Sequence, residues 1–329
     1  LYVLRPPRPD GEVKPLTTFP DGYVADPEMS WDGREVIFSR RGENDPWWLV
    51  WRIGVDGTGL EQVTRGPHHD VGPAYLPDGR IVFSSTRSGI RDEYHGYQCN
   101  ALYVMNGDGT GIERIATNAG RDNEPAVLND GRVAFCRLEM FYARIKTELT
   151  LHAVHPDGSQ DVVLYGPERR EYWHGLDYGP RSRLGHVENP TMFGVLRMTQ
   201  PQGMPDGRHV VVATQAGLAL VGGRRDGETI VTPENKTRVY TTPFPLPDGR
   251  LLCASTLKEF DHAKIDPGLY LVDPATRKLE LVYNDPEAAD FEPRPVLARR
   301  RPRILSPATN RRAYTGRFVC SSVFVTREK

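Results

Sequence analysis

One repeated phrase restricts what this chain can become: a proline, four residues, then Asp-Gly-Arg running into an apolar strand. It occurs as PEMSWDGREVIFS from Pro27, PAYLPDGRIVFSS from Pro73, PAVLNDGRVAFC from Pro125, PQGMPDGRHVVVA from Pro201 and PFPLPDGRLLCAS from Pro243. A sixth, decayed copy, PRPVLARRRPRIL from Pro293, keeps the proline and the apolar run but has Ala298 and Arg299 where the others have Asp-Gly. Asp-Gly suits the positive φ of a tight turn, and the flanking residues read as strands, so each copy predicts a hairpin. The 32 Gly and 28 Pro of the 329 residues suit many short strands better than long helices.

A second phrase follows each of the first five: apolar strand, turn, apolar strand. These are WRIGVDGTGLEQVT, LYVMNGDGTGIERIAT, LHAVHPDGSQDVVLY, LALVGGRRDGETIV and LYLVDPATRKLELVY. Two hairpins make a four-stranded sheet, and a spacing of mostly about 42 to 52 residues matches the period of propeller blades. The expected fold is all-β, a six-bladed β-propeller forming a single domain over residues 1–329. The chain opens with LYVLRPPRPDGEVKPLT, a second phrase without a first, and its last copy is a first phrase without a second. The N-terminal strands are therefore expected to complete the C-terminal blade and close the ring. Leu1 falls inside a strand pattern, which predicts a processed or excised chain.

Roughly 30 extra residues separate the third and fourth copies, an insertion at about 167–199 containing REYWHGLDYGPRSRLGHVENP. Long irregular loops on rigid scaffolds tend to carry function. Trp173, His174, Asp177 and His186 are its candidate ligand or partner contacts, against solvated loop polarity. Two excursions interrupt blades, STRSGIRDEYHGYQCNAL in the second and RLEMFYARIKTEL in the third. They bring Tyr94, Arg137, Glu139 and Tyr142 into the same candidate class, the alternative being ordered surface turns.

Charged residues cancel to a formal net charge of −1, which gives no global field for nucleic acid or an anionic membrane. No apolar run reaches the ~20 residues of a membrane helix. Cys99, Cys136, Cys253 and Cys320 stand alone, so neither a zinc-ribbon pair nor a c-type haem attachment motif is present. His68, His69, Asp70, His95 and Cys99 have the chemistry of a divalent metal site, weighed against hydrogen bonding between blades. No G-x-S-x-G elbow occurs, and the D-G-T-G phrases lack the acidic ladder of a calcium loop. The arginines at 299, 300, 301, 303, 311 and 312 form a proline-split basic patch that suits a partner-facing surface.

The phrases DGRIVF and LYVMNGDGTG resemble TolB-type propeller repeats over nearly the whole chain. GPHHDVGPAYLPDGRIVFSSTR, EPAVLNDGRVAFCRLE and GLYLVDPATRKLELVYNDPE, followed by FEPRPVLARRRPRIL, resemble more narrowly the propeller region of the hydrazine synthase alpha subunit and its relatives. Arg137-Leu138-Glu139 stands where relatives are expected to carry Arg-Trp-Glu. The resemblance implies an exported, periplasmic or secreted scaffold that partners a multihaem cytochrome or a larger assembly. The function read from the chain is a non-catalytic binding or assembly module of such a redox complex. Its rival is a metal-dependent propeller enzyme, a lyase or hydrolase, with its site in the central channel or under the 167–199 insertion.

Overall fold

The computed structural model describes residues 1–92, 96–118, 120–138, 149–165, 198–214, 216–222, 228–234, 237–257 and 266–310. Their strands build a β-propeller. A two-stranded hairpin, β1 (Tyr2–Arg5) and β2 (Glu12–Pro15), precedes five four-stranded antiparallel sheets. Blade 1 comprises β3 (Tyr23–Met29), β4 (Glu35–Arg41), β5 (Leu49–Gly54) and β6 (Glu61–Gln62). Blade 2 holds β7 (Asp70–Tyr75), β8 (Ile81–Ser85), β9 (Ala101–Met105) and β10 (Glu113–Arg114). Blade 3 holds β11 (Arg121–Val127), β12 (Val133–Leu138), β13 (Leu149–Val154) and β14 (Val162–Tyr165). Blade 4 is made of β15 (Thr199–Gly203), β16 (His209–Thr214), β17 (Gly217–Gly222) and β18 (Glu228–Ile230). Blade 5 is made of β19 (Arg238–Pro245), β20 (Leu251–Leu257), β21 (Gly268–Val272) and β22 (Leu279–Tyr283).

Each Asp-Gly-Arg turn works as the sequence suggests. In blade 2 the Gly79 N–H donates to Leu76 O at 3.1 Å, Asp78 accepts the Arg80 N–H, and Gly79 takes a φ of 90°. That is a turn ended by a left-handed glycine, which lets the next strand re-enter the ladder. The proline half of the phrase does something different. The inner strand of every blade breaks register at its proline, between Ala25/Glu28, Val71/Ala74, Asn123/Ala126, Thr199/Gln202 and Thr241/Phe244. Proline has no N–H for the ladder, so the strand bulges there and turns its backbone toward the axis.

The blade count corrects the expectation: among the described residues the structure has five four-stranded blades, not six. Residues 291–305 carry no strand, because Ala298 and Arg299 stand where a hairpin needs Asp-Gly. The segment runs extended across the turn end of the ring instead. Its Arg299 N–H donates to Trp31 O at 2.8 Å, and the Ala308 and Thr309 N–H groups reach Asp157 Oδ2 at 2.6 and 2.9 Å. Two turn glycines permit this approach. A Cβ on Gly33 would stand 2.6 Å from the Leu297 carbonyl carbon, and one on Gly131 would stand 2.2 Å from Arg303 O. β1 and β2 pair with each other, and Leu1 and Leu16 pack against Met29, Val36, Phe38 and Ile53 of blade 1.

The cores lie between blades. Ala74, Val82, Leu102, Val133, Phe135 and Val154 fill the contact of blades 2 and 3, and Ala134, Leu151, Ala153, Met198, Val210 and Val212 that of blades 3 and 4. Among the described residues no helix is long and apolar enough to cross a membrane.

Candidate functional site: the axial channel and a charge network between blades 2 and 3

Six residues stand immediately before the six signature prolines: Asp26, Gly72, Glu124, Gln200, Thr242 and Glu292. A residue before proline is normally pushed into extended conformations. Here all six adopt left-handed backbone, with φ of 54°, 61°, 56°, 56°, 50° and 53°. For a residue with a side chain such a conformation costs on the order of 1–3 kcal/mol, and it persists where surrounding structure enforces it. The bulge supplies that enforcement and brings all six to the lining of one axial channel.

The side chains link blade 1 to blade 2, blade 3 to blade 4, blade 4 to blade 5, and Glu292 to blade 1. Glu292 Oε2 accepts the Asp26 N–H at 2.8 Å, and Asp26 Oδ2 accepts the Gly72 N–H at 3.0 Å. Glu124 Oε2 accepts the Gln200 N–H at 2.6 Å, and Gln200 Oε1 accepts the Thr242 N–H at 2.6 Å. Gly72 has no side chain to pass the pattern on, and the Thr242 hydroxyl has no hydrogen-bond partner. Burial pushes the carboxyls of Glu124 and Glu292 above the usual range, and the neighbouring Asp26 adds to this at Glu292. The space on the axis is a cavity of about 90 Å³.

The turn end of the channel is capped by the extended C-terminal segment. Arg294 Nε and Arg299 Nη2 hold Glu28 at 3.1 and 2.6 Å, and both guanidiniums lie over the Phe244 ring of blade 5. Arg299 also stacks on Trp31, whose indole N–H donates to Tyr75 O at 3.0 Å.

A second polar constellation lies where blade 3 faces blade 2. Arg137 Nε donates to Asp122 Oδ1 at 2.7 Å, and Arg137 Nη2 reaches Asp122 Oδ2 at 3.0 Å and Asp161 Oδ2 at 2.8 Å. His152 Nδ1 stands 3.1 Å from Asp161 Oδ1, and its Nε2 stands 3.1 Å from Thr150 Oγ1. Burial raises the Asp122 carboxyl despite the guanidinium. At Asp161 burial also acts upward, but hydrogen bonds from His152 and Arg137 outweigh it and hold the carboxyl low. The blade 2 excursion closes over this contact, with buried Asp92 paired to Arg121 and Tyr97 beside the same guanidinium.

Asp70 is fully buried, accepting Ser85 Oγ at 2.6 Å and the Arg87 guanidinium at 3.1 and 2.5 Å. His69 lies beside Trp47, with burial and Arg41 holding its imidazole below the usual range. His68 is half-buried, and Cys99 is buried with its thiol pushed up by desolvation. Among the described residues no group of three or more His, Cys, Asp or Glu is placed to ligate a metal directly. Arg137 lies inside blade 3 rather than in a loop. Tyr94, His95, Glu139, Tyr142, Trp173, His174, Asp177 and His186 lie outside the described residues, as does most of the 167–199 insertion. The six pre-proline positions escaped sequence reasoning, although one column of the repeat alignment contains them all. Asp161 and His152 had no local signal.

No family model matches the chain. It is 23% identical over 361 residues to hydrazine synthase subunit alpha of Kuenenia stuttgartiensis, covering 91% of this chain and 41% of that protein. An uncharacterised protein of Agrobacterium fabrum, Atu1656, is 29% identical over 128 residues, 37% of this chain and 42% of that protein. This chain thus matches well under half the length of either curated relative. Among solved structures, Kuenenia stuttgartiensis hydrazine synthase superposes with a TM-score of 0.73 at 20% identity, covering 89% of this chain and 43% of that one. A putative TolB from Agrobacterium tumefaciens gives 0.58 at 16% identity, covering 83% and 84%. The chain is a β-propeller similar to TolB-like propellers and to part of the hydrazine synthase alpha subunit.

Proposed function

We propose that this propeller is a non-catalytic binding and assembly module of an exported redox complex, with a haem-bearing protein among its partners. The observation that carries the reading is the use of the axial polar groups. Asp26, Glu124, Gln200 and Glu292 accept main-chain N–H groups from the following blade, so their chemistry goes into holding the ring. The extended likeness to hydrazine synthase alpha, which covers only 41% of that protein, supports a module that works beside other parts. The same likeness supports a location outside the cytoplasm. Exposed Arg300, Arg301 and Arg303 on the turn end offer a basic surface to an acidic partner.

The reading includes a closed ring. In this reading residues 292–299 bridge blades 5 and 1, while the β1–β2 hairpin packs on blade 1. Arg294 and Arg299 engage Glu28 of blade 1 while lying over Phe244 of blade 5, and Glu292 supports the Asp26 N–H.

The test is native mass spectrometry of the protein isolated from its own source, with the visible spectrum recorded on the same fraction. The reading expects a stoichiometric complex with a Soret band. A solitary monomer without haem absorbance would overturn it.

A further inference from the structure

The end of the ring opposite the Asp-Gly-Arg turns carries a guanidinium that no acid holds. Arg41 closes β4 in register with Tyr23 of β3, and its guanidinium lies 4.9 Å from the centre of the Tyr23 ring and 5.6 Å from that of Trp48. Ring faces attract a cation, but they leave its N–H groups without lone pairs to bond. Among the described residues Arg41 is the one partly buried arginine whose side chain makes no hydrogen bond or ion pair. Its Nε is sealed from water, and its two Nη groups are open to it. Neighbouring arginines show the usual solution: Arg40 reaches Asp21 at 3.3 Å, and Arg87 holds Asp70 at 2.5 Å.

A second open donor is tied to the same tryptophan. His69, the residue before β7, accepts the Trp48 N–H at Nδ1 at 3.4 Å, so its neutral imidazole carries the proton on Nε2. That Nε2–H has no partner among the described residues and is open to water. Burial and the Arg41 charge hold the imidazole below its ordinary range, which keeps it a neutral donor. Asp70, whose charge also reaches His69, is already taken by Ser85 Oγ at 2.6 Å and by Arg87.

One positive charge, two Nη donors and one neutral N–H match a ligand with a single negative charge and two acceptor oxygens in a plane. A doubly charged phosphate calls for a second cation, and the guanidiniums of Arg40 and Arg87 are already committed. We propose that Arg41 and His69 form a carboxylate-binding site, with Arg41 Nη1 and Nη2 gripping the two oxygens and His69 Nε2–H donating to one of them. The carboxylate belongs to a small organic acid or to an acidic side chain of a partner, and this inference does not depend on the assembly role above.

Sodium acetate and an N-acetylated, C-amidated hexaglutamate are the probes. In heteronuclear NMR of the whole protein, the Arg41 Nε–H and His69 imidazole signals shift saturably with each, and sodium chloride at matched ionic strength does not reproduce the shifts. Arg41→Gln weakens the binding read at His69 by about tenfold or more, the scale of a hydrogen bond to a charged group. The wild-type titrations hold whether or not the variant folds. Equal affinity per carboxylate for the two probes assigns the site to a free acid, and tighter binding of the peptide assigns it to a partner segment. Absence of a saturable shift with both probes, the same shifts with chloride, or unchanged affinity in Arg41→Gln would each overturn the proposal.

Discussion

Both faces of blade 3 carry an apolar core, but only the face toward blade 2 adds a buried charge network beside it. Toward blade 2, Asp122, Arg137, His152 and Asp161 join in a network of hydrogen bonds and ion pairs. Toward blade 4, the position equivalent to Asp122 is Met198, fully buried among Leu151, Ala153, Val210 and Val212. Blade 2 carries Asp70 at that position, blade 5 carries Tyr240 and blade 1 carries Val24, so blades 2 and 3 are charged there and the other three are apolar. Apolar contacts are non-directional, whereas a bidentate guanidinium–carboxylate pair accepts one geometry. All four members belong to blade 3, so the network ties that blade's own strands together in one geometry, and it is intolerant of losing a single member.

The largest expected effect follows from that intolerance. Arg137→Met leaves Asp122 buried without its cation and should cost about 3–5 kcal/mol, read as a lower urea midpoint. In the apolar contact, Leu151→Ala should cost about 3 kcal/mol through cavity formation, within the range of such truncations. If it costs more than Arg137→Met, the contrast between the two faces fails. Asp122→Met combined with Arg137→Met copies the Met198 solution, and it should recover to within about 2 kcal/mol of wild type. Continued loss in the double variant would mean that Asp161 and His152 also need the guanidinium.

The smallest effect is in the channel. Glu124 holds its proton to higher pH when folded, so its contribution is complete below about pH 4.3 and lost as pH rises toward the raised folded value. Glu124→Gln keeps an acceptor for the Gln200 N–H and removes the titration. Its stability should fall less steeply than wild type across that window, by up to about 1.4 kcal/mol per pH unit. Parallel slopes would show that Glu124 titrates alike in both states.

The repeat made five sheets legible because each contains its own hairpin instructions, and the two halves of the phrase proved separable. Asp-Gly specifies the hairpin, so its loss at Ala298 and Arg299 removed the sixth sheet. The proline specifies the axial bulge, so Glu292 kept its place on the channel without a blade behind it. The axial set of side chains was hidden because each precedes the repeated proline and its type varies from blade to blade. The charge network was hidden because Asp122, Arg137 and His152 come from three strands and Asp161 from the turn before a fourth, and only the sheet brings them together. Arg137 stood out in the sequence as a loop contact, and burial between blades gives it a different task.

The central claim is that axial side chains tie blade 1 to blade 2, blade 3 to blade 4 and blade 4 to blade 5, and that Glu292 ties residues 291–305 to blade 1. Amide hydrogen exchange of the Asp26 N–H, in wild type and in Glu292→Ala, tests it directly. Removing the Glu292 carboxylate should accelerate exchange at Asp26 by about tenfold or more, the scale of one charge-assisted hydrogen bond, while leaving the Thr242 N–H on Gln200 unchanged. Equal rates at Asp26 in the two proteins would contradict the account.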